Sequence, residues 1–155
     1  MSFSRSRTRR FLLQSLYARA VAGSPALKEA AFFDEIDRID DTYAMQLESA
    51  ILINEWKLFS VIYESAPKYD VKTIPLVNVL ILFIALTEML IVRPADVPEK
   101  VSIDEAIELA KRYSDDAGKN LINGILNTVI GHTQDIAQTW ASRKPLDHSL
   151  FHTLW

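Results

Sequence analysis

Residues Ile74 to Val92 read IPLVNVLILFIALTEMLIV, nineteen residues with one formal charge. A stretch this apolar has few resting places in water. It either spans a bilayer, which takes about 20 apolar residues, or lies at the centre of a protein with partners on every side. Glu88 sits inside the run, and a carboxylate in mid-bilayer costs a few kcal/mol. Lys72 and Arg93 flank both ends, so the positive-inside rule gives no orientation. The surrounding segments are amphipathic and need an apolar partner, which a central helix would supply.

Those segments set the fold class. Leu13, Leu16, Tyr17 and Ala20 form a helical stripe within a helix expected over about 4–22. A short acidic helix is expected over about 28–37, burying Phe32, Phe33 and Ile36. A long one is expected over about 41–66. Two adjacent stripes, Ala44-Leu47-Ile51-Leu58-Ile62 and Leu52-Trp56-Phe59-Tyr63, give it more than one neighbour, and Pro67 closes it. The apolar run makes the next helix, about 73–93, with Pro75 in its first turn. Ser102-Ile103-Asp104-Glu105 matches a capping box ahead of a helix carrying an i, i+4 pair, Glu108 and Arg112. Tyr113 to Asp116 reads as a break, and a further helix runs over about 117–132. Gly124 lies within it, suggesting close approach of a neighbouring helix. A weaker amphipathic stretch reaches Trp140. The expected architecture is an all-α compact helical bundle of six to seven helices, with a helical domain over 1–132 and a C-terminal helical extension over 133–155.

Charge is unevenly placed. The net charge is −3, but Met1 to Gly23 contain Arg5, Arg7, Arg9, Arg10 and Arg19 and no acid, leaving −8 on the remainder. A basic arm on an acidic body suits a polyanion. The same arm also has features of a presequence or a twin-arginine signal, although Gln14 and Arg19 interrupt the apolar part. Projected back along the helix, Arg9 and Arg10 fall on the Leu13 and Tyr17 side, at the rim of the core. Cysteine is absent, which excludes disulfides, thiolate zinc sites and a cysteine nucleophile. No P-loop, G-x-S-x-G or Gly-rich phosphate loop is present, so no enzyme class and no cofactor is indicated. His148 and His152 have i, i+4 spacing but no third ligand, and no metal site is expected.

VPEKVSIDEAIELAKRYSDDAGKNLINGIL, residues 97–126, carries a more specific pattern. Asp96-Val97-Pro98, Lys100-Val101, Ile103 to Ala106, Glu108 to Lys111 and Ile122-Asn123-Gly124 resemble the C-terminal signature of the NusB family of bacterial transcription antitermination factors. Arg7, Arg9 and Leu13-Gln14-Ser15-Leu16-Tyr17 are similar to its N-terminal block, and Ile84 to Glu88 to its buried helix. The resemblance implies a non-enzymatic, cytoplasmic, all-helical protein whose apolar run is core, not membrane. It implies binding of boxA-like single-stranded RNA together with NusE, a ribosomal small-subunit protein, in a complex with NusA, NusG and RNA polymerase. Arg5, Arg7, Arg9, Arg10, Lys119 and Asn120 are the candidate RNA-binding residues, and Tyr17 and Asn78 the candidate partner contacts. The alternative is a NusB-like interaction or homodimerisation module without boxA binding.

Three departures bear on these expectations. Asn120-Leu121 stand where the family often has Lys-Phe, and leucine cannot stack on a base. Asn78 and Phe83 stand where it often has Glu and Arg. The spacing from Glu88 to Pro98 is two residues longer than usual, so a displaced or bulged loop is expected there.

Overall fold

The computed structural model describes residues 4–22, 39–143, 145 and 150–151. Among these, every regular element is helical. The expected helix over 28–37, with Phe32, Phe33 and Ile36, and the His148–His152 pair fall outside the described residues.

The first helix, α1 (Arg5–Ala22), begins where Ser4 Oγ accepts the Arg7 N–H at 3.2 Å. In α2 (Asp41–Ile53), Asp40 is the N-cap and accepts the Tyr43 N–H at 3.0 Å. The single helix expected over 41–66 is instead two. Asn54 Nδ2 donates to the Ala50 carbonyl at 2.7 Å, and the Asn54 backbone leaves helical geometry. A short amide side chain that satisfies the preceding turn competes with continuation of the helix. The chain restarts as α3 (Glu55–Ser65) and stops ahead of Pro67.

The apolar run forms α4 (Leu76–Thr87), and every residue from Asn78 to Thr87 is buried. It packs against α1, α2 and α3, and also against α5 (Glu99–Tyr113) and α6 (Asp116–Val129). No described helix is long and apolar enough to cross a membrane. Each fully buried Leu, Ile or Phe here contributes about 1.5–3 kcal/mol, which fixes α4 as the axis of the bundle.

Past Thr87 the helix widens into a π segment, Glu88–Val92, closed by Arg93 at φ 48°. It lies within the Glu88–Pro98 stretch, for which the spacing predicts a displaced or bulged loop. A π turn takes up additional chain without leaving the helix axis.

Three local expectations are corrected. Helix α5 starts at Glu99, because Pro98 has φ −60° and ψ 152° and its carbonyl already accepts the Val101 N–H at 2.9 Å. Ser102 therefore lies inside the helix, buried, and forms no capping box. On the exposed face of α5, Glu108 pairs with Lys111 at 3.1 Å, not with Arg112. Gly124 approaches no other helix: a Cβ there would meet nothing within 4 Å. Gly118 is the packed glycine, where a Cβ would lie 2.7 Å from Asn78 Nδ2. Asp115 caps α6 by accepting the Gly118 N–H at 2.7 Å, so the expected break before this helix is present.

Candidate nucleic-acid interface

The arginines of α1 do not form one solvated face. Arg9 is 2% exposed. Its guanidinium donates to Glu88 through Nε, at 3.1 Å to both carboxylate oxygens, and through Nη2 at 2.8 Å to Oε2. Nη1 lies 3.7 Å from Glu105. The Tyr43 hydroxyl donates to the same Glu88 oxygen that Nη2 uses. Burial opposes the Arg9 charge, but the hydrogen bonds and charge of Glu88, with Tyr43 and Glu105, outweigh it and hold the pKa above its ordinary value. Burial drives the Tyr43 pKa up, and the Glu88 charge adds to it. The network ties α1, α2, α5 and the start of the π segment together.

Arg5 is a second structural cation. Its guanidinium carbon stands 3.9 Å from the centroid of the Tyr43 ring, and Nη1 lies 3.3 Å from Asp96. Ser6 Oγ donates to Glu105 at 2.9 Å. Arg19, lower on the helix, lies 3.8 Å from Glu48. Burial pushes the Glu48 carboxyl up, and Arg19 partly offsets that.

Arg7 and Arg10 are half-buried. Arg10 joins Ser6, Lys111 and Arg112 in a groove of about 390 Å³, where Glu105, Glu108 and Leu109 also line the wall. Among the described residues its lining thus mixes cations and carboxylates.

Tyr17 is 45% exposed and lines an apolar groove of about 520 Å³ between α1 and the start of α4, with Leu13, Pro75, Leu76 and Val77. At its edge Gln14 Nε2 donates to the Tyr113 hydroxyl at 2.8 Å. Asn78 is not on this surface. It is 2% exposed, and its Oδ1 accepts from Ser114 Oγ at 2.6 Å, so it braces the α5–α6 break and does not reach a partner directly. Phe83 is also buried, with its ring edge-on to Phe59 at 4.9 Å between centroids. An apolar ring in the core needs no counter-charge, so nothing charged is lost inside at Phe83.

The remaining candidates lie on α6. Lys119 Nζ is 3.9 Å from Asp116, and Asn120 is exposed. Asn120 lines a groove of about 600 Å³ with Leu121 and Gly124 of α6 and with Lys68 and Tyr69 of the α3–α4 connection. Tyr69 is 53% exposed. The described grooves thus place Asn120 with Lys68 and Tyr69, and Arg10 with Lys111 and Arg112.

Sequence reasoning missed Lys68, Tyr69, Lys111 and Arg112 as surface candidates, and Glu88 and Tyr43 as partners of Arg9. One signal for Tyr69 was available. It is an aromatic in the polar turn Pro67-Lys68-Tyr69-Asp70, off every helical stripe. Nothing local pairs Arg9 with a residue 79 positions away.

The model of the NusB family matches residues 6–131. Among similar proteins, the "Transcription antitermination protein NusB" of Clostridium perfringens is 38% identical over 136 residues, covering 84% of this chain and 99% of the relative. The protein of that name from Chloroherpeton thalassium is 33% identical over 131 residues, covering 82% of this chain and 61% of its own length. The one from Roseiflexus castenholzii is 41% identical over 75 residues, covering 48% and 53%. With the family region spanning α1 to α6 and the full-length similarity to the clostridial protein, the chain belongs to the NusB family of transcription antitermination factors.

Proposed function

We propose that this protein is a non-enzymatic, cytoplasmic antitermination factor that binds boxA-type single-stranded RNA of ribosomal transcripts together with NusE. In this reading it helps to assemble the complex with NusA, NusG and RNA polymerase. The observation that carries the reading is the groove of Lys68, Tyr69, Asn120 and Leu121. Recognition of single strands needs an aromatic face for a base, an amide for base edges and a cation for phosphate. Leu121 offers no such face, but exposed Tyr69 in the same groove does. Arg7, Arg10, Lys111, Arg112 and Lys119 supply cations for the backbone. Arg5 and Arg9 serve this surface indirectly, by seating α1. The apolar groove at Tyr17 is the surface for NusE, and Asn78 supports it from beneath through Ser114.

The alternative, an interaction or dimerisation module without boxA binding, is favoured by one observation. Arg5 and Arg9 are engaged by the protein's own acids and the Tyr43 ring.

A short labelled boxA-like RNA and a scrambled one, titrated with and without NusE at two salt concentrations, separate the readings. Preference for boxA that sharpens with NusE is expected; equal binding of both RNAs refutes the proposal. Tyr69→Ala should weaken boxA binding by about 1–3 kcal/mol, the value of one base stack. Arg7→Ala with Arg10→Ala should flatten the salt slope by about 1.4, at about 0.7 for each phosphate contact on a single strand.

A further inference from the structure

The family region ends at residue 131, and the chain continues. Beyond it lie α7 (Thr133–Thr139), which packs on the π segment, and a 3₁₀ turn, Trp140–Ser142. Two points farther along the chain lie against opposite ends of α3. Arg143 pairs with Glu64 in the last turn of α3. The Leu150 N–H donates to Glu55 Oε2 at 2.7 Å, in its first turn. Between these, the Lys57 ammonium is 5.4 Å from the Trp140 ring and 5.8 Å from the Trp56 ring. Phe151 is completely buried and belongs to the main core.

The spacing is self-consistent. Glu55 to Glu64 spans about 13.5 Å of helix at 1.5 Å per residue. Seven residues from Arg143 to Leu150 can reach up to about 23 Å.

We propose that α3 is a peptide-receiving site, and that its occupant is the Leu150–Phe151 step of this same chain, bound in cis. The contacts are those of a recognised peptide. A main-chain N–H meets a buried carboxylate, an aromatic anchor fills a core position, and an ion pair fixes the far end. Glu55 is 6% exposed, so loss of the Leu150 N–H would take a donor from a carboxylate that water reaches poorly. The site therefore favours any segment offering an N–H followed by a large apolar side chain. The covalent tether gives the chain's own segment an effective concentration on the order of millimolar, which excludes competitors. This inference does not rest on the proposed RNA binding.

Hydrogen exchange on the full chain tests it. In the wild type, the Leu150 amide is expected to exchange about a hundredfold or more slowly than in the free peptide of residues 145–155. Phe151→Ala should abolish most of that protection and let the labelled 145–155 peptide bind in trans, while the wild type does not bind it. Because Phe151 is also core, Glu55→Ala gives a second reading. It should lose protection at Leu150 while α4 to α6 stay protected, and Glu55→Gln, which keeps an acceptor, should restore part of it. A free-peptide exchange rate at Leu150 in the wild type would overturn the proposal. So would unchanged protection in Glu55→Ala, or equal binding of the peptide to wild type and Phe151→Ala. A wild-type dimer in which Leu150 contacts Glu55 of a second copy would overturn the assignment in cis.

Discussion

Arg9 and Tyr69 are both residues that a nucleic-acid reading would value, and the fold treats them in opposite ways. Arg9 is enclosed by Glu88, Tyr43 and Glu105, and its charge is spent on joining helices. Tyr69 stands half in solvent beside Lys68 and Asn120. The difference teaches that residue type gives chemical capacity and burial decides its use. A buried guanidinium with its donors on a carboxylate is structural, whereas an exposed ring on a short turn remains available to a ligand.

The sharpest way to break this contrast is at Glu88. Glu88→Ala leaves the Arg9 charge buried without its main partner and should cost about 3–5 kcal/mol in urea unfolding. Arg9→Met combined with Glu88→Leu should recover most of that loss, since apolar residues of similar volume often replace a buried pair at little cost. A loss below about 1 kcal/mol for Glu88→Ala would return Arg9 to the list of surface cations.

The two glycines of α6 carry the comparison to backbone level. Gly118→Ala drives a methyl against the Asn78–Ser114 bracket and should destabilise by about 1–3 kcal/mol. The thermal midpoint checks it, and an unchanged midpoint would mean that the bracket yields freely.

The network has a pH signature of its own. Burial, then the charge and hydrogen bond of Glu88, raise the folded pKa of Tyr43 above the ordinary tyrosine value of about 10. The neutral hydroxyl is therefore favoured in the fold. Its stabilising contribution is fully present below pH about 10 and is lost as pH rises from there through the folded pKa, by up to about 1.4 kcal/mol per pH unit. Comparing urea midpoints of wild type and Tyr43→Phe from pH 9 upward, in roughly one-unit steps, isolates this term. Parallel curves would remove Tyr43 from the account.

The smallest effect lies in the groove. Gly124→Ala meets open space on an exposed helix face and should stabilise by about 1 kcal/mol through helix propensity. A destabilised variant would mean that the groove is tighter than its open geometry indicates.

Much of this molecule was legible in its sequence. The period of its apolar residues gave helices, Pro67 and the break at Tyr113 to Asp116 gave two of their ends, and a nearly all-apolar run of nineteen residues gave a central helix. These are local or one-dimensional signals, set by backbone sterics, capping and the cost of exposing apolar surface. The projection that put Arg9 and Arg10 at the rim of the core was local too, and Arg9 indeed lies inside. Two local effects went unread: Asn54 split a helix whose apolar stripes ran on uninterrupted, and Pro98 started α5 early and released Glu105 to Ser6 and Arg9. Tertiary structure decided what local rules cannot carry. Glu88 met an arginine 79 residues away, and Leu150 met a glutamate 95 residues away. A charge's partner is whatever the packed helices bring within hydrogen-bond reach, and only the three-dimensional arrangement supplies that distance.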